Sequence, residues 1–229
     1  MVEIKYNLEQ ITKRIEEACA RTDRNPNSVT IIAVTKAVSV GRTKEAVDAG
    51  LMNLGENRPD GLKLKSDDID SVKWHFIGSL QSRKVKEVID QIDYLHSLDR
   101  ISLAKEIQKR ATRKVDCFVQ VNVSGEDSKH GLAPDEVISF IQSLEEFDKI
   151  RIVGLMTMAP NTENESVLRS VFRELKSLQE DVAALNLVHA PCTECSMGMS
   201  NDYVIAVEEG ATFVRIGTAL VGDESGESR

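Results

Sequence analysis

The feature that most limits what this chain can fold into is the order of its apolar runs. Short hydrophobic stretches recur at 30–35 (TIIAVT), 51–57 (LMNLGEN), 73–80 (KWHFIGSL), 92–99 (IDYLHSLD), 116–123 (DCFVQVNV), 150–158 (IRIVGLMTM), 192–200 (CTECSMGMS) and 212–222 (TFVRIGTALVG). Between them lie longer segments whose apolar residues repeat at helical spacing. In YNLEQITKRIEEACARTD, for example, Leu8, Ile11, Ile15, Ala18 and Cys19 fall near one face. Strands that alternate with helices pair in parallel, and several of these runs lack polar alternation, as strands covered on both faces should. The pattern predicts a single-domain α/β fold, a closed (β/α)8 TIM-type barrel, over residues 1–222. Residues 223–229 (DESGESR) read as a flexible polar tail. A doubly wound open sheet is the competing architecture, because a strand count read from sequence is good only to one or two strands. No Pro/Gly/Ser-rich linker divides the chain.

In a barrel of this kind chemistry sits at the C-terminal ends of the strands. Reading those ends in order gives Lys36, Asn57, His75 to Gly78, Asn122, Met156 to Met158, Ser196 to Ser200 and Arg215 to Thr218. Lys36 closes an apolar run, where an ammonium either reaches water or is desolvated and offered as a nucleophile. No pair of carboxylates falls on this rim, which speaks against glycosidase or metal-hydrolase chemistry, and no metal site is expected. The loops after strands seven and eight are the usual phosphate site of the fold. There Gly198 and Gly217 would let backbone N–H groups approach an anion, and Ser196, Ser200 and Thr218 would add hydroxyls.

Composition then removes whole classes of partner. The formal net charge of -8 leaves no overall positive field for nucleic acid. The basic stretch KRATRKVD reads as a solvated helix face. No segment has the length and apolarity to span a bilayer, and the N-terminus shows no apolar signal region, so a cytoplasmic location is expected. Cys19, Cys117, Cys192 and Cys195 are expected as thiols, with the Cys192–Cys195 pair packing as small hydrophobes rather than acting in redox or zinc chemistry. His75 stands between packing and a rim contact. Lys129 is expected to face solvent, and Met156, Met158, Met197 and Met199 to fill gaps.

AVTK, LGEN, WHFIGSLQSRK, VNVSGEDSKHGL, GLMTMAP and CSMGMSNDYVIAVEEGATFVRIGTALVG run in this order through nearly the whole chain. Together they resemble the pyridoxal 5′-phosphate homeostasis proteins, single-domain barrels similar to the N-terminal domain of alanine racemase. The pairing of SMGMSND with VRIGTA is the specific part of the match. The resemblance implies that pyridoxal 5′-phosphate is the cofactor and that Lys36 holds its aldehyde as a Schiff base. It further implies that Ser196, Ser200, Gly217 and Thr218 bind the phosphate, that Asn57 lies near the ring, and that Arg215 faces the pyridine nitrogen. Arginine has only donors, so a pyridine nitrogen bonded to it stays unprotonated and is a poor electron sink.

Alanine racemase supplies a further catalytic tyrosine from a C-terminal β-domain. The sequence here ends at Arg229, and no such domain is expected. The implied role is therefore buffering or delivery of the cofactor without robust catalysis, with PLP-dependent apoenzymes as recipients and a monomer or weak homodimer as the assembly. A PLP-dependent amino-acid racemase is the alternative, and a lysine Schiff-base enzyme acting on a sugar phosphate is a third. Three departures stand out. Pro59 and Asp60 alter the start of a helix, Arg83 replaces a common asparagine, and Cys195 replaces a common leucine directly before Ser196.

Overall fold

The computed structural model describes residues 3–126 and 129–225. Eight strands form a closed barrel in sequence order: β1 (Thr30–Val34), β2 (Asn53–Glu56), β3 (Lys73–Phe76), β4 (Tyr94–Leu98), β5 (Val115–Gln120), β6 (Ile150–Met156), β7 (Glu194–Met199) and β8 (Phe213–Ile216). Every pairing is parallel, and β8 closes the ring on β1. The expected (β/α)8 barrel is therefore the fold, and the open sheet is not.

The helices are α1 (Ile4–Arg21), α2 (Val40–Asp48), α3 (Pro59–Ser66), α4 (Val85–Val88), α5 (Ile101–Arg110), α6 (Val137–Gln142), α7 (Glu165–Ala184), α8 (Tyr203–Glu208) and α9 (Thr218–Val221). Helices α2 to α8 follow β1 to β7 in turn. After β8 comes only the four-residue α9, too short to cover a strand. Helix α1 fills that gap, packing on α8, α9 and α2, and Asn7 Nδ2 donates to the Leu220 carbonyl at 3.1 Å. Its Ile4, Ile11, Ile15, Ala18 and Cys19 are buried, and each isoleucine contributes about 1.5–3 kcal/mol of transfer free energy. Pro59 opens α3 at its first turn, where a missing N–H costs nothing.

Strand alternation sorts the buried residues into two sets. Outward-facing Leu54, Trp74, Phe76, Leu95, Val119 and Val214 join the large apolar core between sheet and helices. Inward-facing Ile32, Phe118, Met156 and Phe213 form a small separate cluster inside the barrel, with Tyr94 against it. His75 and His96 stand among these: His75 stacks on Tyr94 at 4.5 Å and His96 on Phe118 at 4.3 Å between centroids. The predicted polar tail begins bound, since Glu224 N–H donates to the Ala37 carbonyl at 2.9 Å and its carboxylate accepts from Ser39 N–H at 2.6 Å. Residues 226–229 lie outside the described residues. Among the described residues no helix is long and apolar enough to cross a membrane.

Candidate functional site

A cavity of about 370 Å3 opens at the C-terminal ends of the strands, within the roughly 300–1,000 Å3 typical of small-molecule sites. Lys36, Asn57, Ser200, Arg215, Gly217 and Thr218 all line it. Six of the seven residues singled out for a cofactor thus converge on one mouth, although they come from the ends of four different strands, β1, β2, β7 and β8. No carboxylate is among its described lining residues. A second cavity of about 400 Å3 lies at the opposite end, between α1 and the starts of β1 and β2, away from the strand ends where barrel chemistry sits.

Lys36 lies two residues past the end of β1 and is exposed. Of the two alternatives for this amine, the desolvated one is not met, because the side chain leaves the strand end into the open mouth. What is buried lies one residue earlier. Thr35 Oγ donates to Glu56 Oε1 at 2.6 Å, Lys65 Nζ donates to the same oxygen at 2.6 Å, and Lys65 Nζ also donates to the Thr35 carbonyl at 2.5 Å. Both members of this ion pair are almost wholly shielded from water. The pair ties the end of β1 to α3 and so fixes the backbone from which Lys36 departs.

Arg215, on β8, is 4% exposed. Its Nη1 donates to Ser196 Oγ at 2.6 Å and its Nη2 to the Thr157 carbonyl at 2.9 Å. Burial lowers its pKa to about 10, and nearby Asp202 opposes that shift. The guanidinium therefore remains charged at neutral pH. Asp202 in turn accepts from Met199 N–H at 2.6 Å, which locks the loop after β7, while burial raises its own carboxyl.

Ser196 sits elsewhere than the sequence implied. It does not line the cavity; it is fully buried inside the barrel, beneath Arg215, with its hydroxyl shared between that guanidinium and His96 Nδ1 at 2.9 Å. The hydroxyl at the mouth is that of Ser200, four residues later. Gly198 also differs from expectation. Its φ is +90°, and an added Cβ would come within 2.5 Å of Ala206 Cβ. This glycine serves the close approach of β7 to α8, whereas Gly217 lines the cavity with nothing nearer than 3.6 Å to an added Cβ.

Some lining residues carried no signal in the sequence. Gln120 ends β5, is buried, lines the mouth, and donates to the His130 carbonyl at 3.2 Å. The sequence pointed two residues further, to Asn122, whose amide instead holds the Glu126 carbonyl at 2.9 Å. Knowing where the strand stops would have been needed to choose between them. Lys129 does not simply face solvent. It pairs with Glu126 and donates to the Met158 carbonyl at 3.3 Å, beside the mouth. Met158 and Met199 line the cavity, whereas Met156 and Met197 are buried as fillers. Cys192 and Cys195 are buried, and burial pushes both thiols up to about 12. Among the described residues no cluster of three or more His, Cys, Asp or Glu suits a metal ion.

The residues at the mouth fit a ring aldehyde with an anionic tail: an exposed amine, a fixed cation, hydroxyls and an open glycine turn, with no carboxylate among the described lining residues to repel phosphate. Helix α9 starts at Thr218, and its first backbone N–H groups have no acceptor within the helix.

The family described as alanine racemase, N-terminal domain, matches residues 6–225. A pyridoxal phosphate homeostasis protein of Aquifex aeolicus is 39% identical over 222 residues, which cover 94% of this chain and 96% of that protein. A structure solved from Bifidobacterium adolescentis superposes with a TM-score of 0.90 at 33% identity, covering 95% of this chain and 94% of the other. PipY of Synechococcus elongatus, solved with PLP bound, superposes with a TM-score of 0.79 at 29% identity, covering 91% and 100%.

Proposed function

The chain belongs to the alanine racemase N-terminal domain family, and from that premise we propose that it is a pyridoxal 5′-phosphate-binding protein that buffers or delivers the cofactor in the cell. The relatives named pyridoxal phosphate homeostasis protein and the neighbour solved with PLP bound support this reading. The observation that carries it is the sharing of one cavity by the exposed Lys36 and the buried Arg215, with no carboxylate among the described lining residues.

Bound there, the cofactor supplies an aldehyde that an amine can capture and a ring whose electron-withdrawing power depends on the protonation of its nitrogen. Lys36 is the amine in reach of the mouth. Ser200, Thr218 and the backbone at Gly217 would hold the phosphate, and Asn57 would contact the ring from just past the end of β2. Arg215 offers only donors to a ring nitrogen, so it stabilises the unprotonated form. Among the described lining residues no acidic group stands ready to supply a proton there. The residues thus favour holding the cofactor over activating it.

The test is spectroscopic. The purified protein loaded with pyridoxal 5′-phosphate should absorb in the visible range, and borohydride reduction should leave the adduct on the Lys36 peptide. Lys36→Ala should abolish both, and an unchanged spectrum in that variant would refute the assignment. D-alanine formed from L-alanine and lost in Lys36→Ala would establish the racemase reading instead. The recipients belong to this proposal as PLP-dependent apoenzymes, and the site of action as the cytoplasm. The assembly is proposed as a monomer or weak homodimer.

A further inference from the structure

One line of hydrogen bonds crosses the barrel interior. Asn53 Oδ1 lies 3.0 Å from His75 Nε2, His75 Nδ1 lies 3.0 Å from His96 Nε2, and His96 Nδ1 lies 2.9 Å from Ser196 Oγ, which receives Arg215 Nη1 at 2.6 Å. His75, His96 and Ser196 are each fully buried. The line starts at a residue of the floor cavity and ends at a residue of the mouth.

The chemistry of the two ends fixes the direction of every bond. Arg215 can only donate, so Ser196 Oγ accepts from it. The serine proton then goes to His96 Nδ1, which must be bare, so His96 carries its hydrogen on Nε2 and donates to His75. By the same step His75 carries its hydrogen on Nε2 and donates to Asn53 Oδ1. The opposite order can also be drawn. It would have Ser196 accept from both His96 and Arg215 and leave the serine proton without a partner in a buried site, at a cost of about 1–3 kcal/mol. Only the first order satisfies every group.

We propose that His96 and His75 are positioning residues for Arg215: as a proton-ordered chain they hold Ser196 as an acceptor, and so aim the free donors of the guanidinium at the ring nitrogen of the cofactor. The reading of the ring contact rests on the function proposed above; the proton order does not. Both rings suit the role because they stay neutral. Burial takes His75 down to about 3, with Lys73 adding to it, and burial holds His96 well below its ordinary value, with His75 and Arg215 adding. A second proton on either ring would set donor against donor.

Two measurements test the chain. In the cofactor-free protein, 15N-resolved NMR of the histidine rings should show both His75 and His96 as the Nε2–H form at pH 7. A proton on Nδ1 of either ring overturns the assigned order. In the loaded protein, His96→Phe orphans Ser196 and His75 together, so it should weaken cofactor retention about tenfold or more and shift the bound absorption maximum. His96→Gln, which keeps one donor and one acceptor, should stay within about threefold of the parent. A folded His96→Phe protein with smaller loss and an unmoved maximum overturns the proposal, as does a His96→Gln protein as weak as His96→Phe. Should His96→Phe not fold, the tautomers decide. Absence of a Lys36 adduct in the parent protein would sink the cofactor reading while leaving the tautomer result standing.

Discussion

The outer and inner faces of this one sheet are built by different means. Outward, Leu54, Val119 and Val214 meet the helices through apolar contact alone. Inward, neighbouring positions on the same strands carry Asn53, Gln120 and Arg215, which meet their partners through hydrogen bonds. An apolar interface asks for volume and tolerates exchange of similar shapes. A hydrogen-bonded line asks for direction, and each member depends on the one before. Each such bond adds only about 1 kcal/mol net, but an orphaned buried partner costs more than the bond contributed. The outer face therefore holds the fold together, and the inner face aims one cation at the mouth.

The largest expected effect comes where the outer face breaks its own rule. Lys65 and Glu56 form a buried ion pair among apolar neighbours. Lys65→Met should cost about 3–5 kcal/mol, because it strands the carboxylate, while adding Glu56→Leu should recover most of that loss. Urea unfolding of the two variants measures both; a single variant within 1 kcal/mol (about a fivefold change in the unfolding equilibrium) of the parent would show the pair to be dispensable. Phe172 on α7, fully buried against the sheet, should behave as pure volume. Phe172→Ala should cost about 3–5 kcal/mol yet leave the absorption maximum of the loaded protein unmoved. A shifted maximum there would mean that the two faces are not separable.

The same difference governs what the sequence revealed. Outer-face residues announce themselves through helical and strand periodicity, so the barrel and its order of elements were legible without coordinates. Lys36, Asn57, Ser200, Arg215, Gly217 and Thr218 were legible as well, because strand ends alone locate a barrel's mouth. The inner line was not. His75 between Trp74 and Phe76 reads as packing, and nothing in that tripeptide shows His96 at 3.0 Å. That contact follows from the register of β3 on β4, and Ser196 reaches His96 only across the barrel interior. The exposure of Lys36 was hidden for a related reason: its run is buried, but its side chain departs beyond the strand end into the opening.

Lowering the pH should break the inner face before the outer one. The unfolded chain takes up a proton on each histidine near pH 6.5, whereas folded His75 holds none until about pH 3 and folded His96 lies well below its ordinary value. Between those limits the unfolded state binds more protons, so stability rises with pH and falls as the solution is acidified. The contribution is fully present above pH 6.5. At pH 5 the buried neutral His75 should have removed about 2 kcal/mol relative to pH 7, and His96 shifts stability in the same direction. Denaturant midpoints measured from pH 7 to pH 5 should fall accordingly, and His75→Phe should show a shallower fall than the parent. A parent protein equally stable at both values would mean that these rings accept protons in the folded state.

The smallest effect is expected at the thiols on the outer face. Cys195 precedes Ser196 and is the neighbour through which oxidation would reach the inner line, yet strand alternation turns its sulfur away from the interior and into the apolar core. Burial pushes both Cys195 and Cys192 up to about 12, so at pH 8 almost no thiolate exists to react. Iodoacetamide at pH 8 should therefore leave both residues unmodified in the folded protein and label both once urea unfolds it, as read by peptide mass. Cys195→Ala should leave cofactor retention unchanged within about twofold, since the sulfur packs in the apolar core and its hydrogen bond to Gln179 is long, 3.8 Å. Rapid labelling of Cys195 under native conditions, with loss of the bound absorption, would instead show that the two faces communicate through β7.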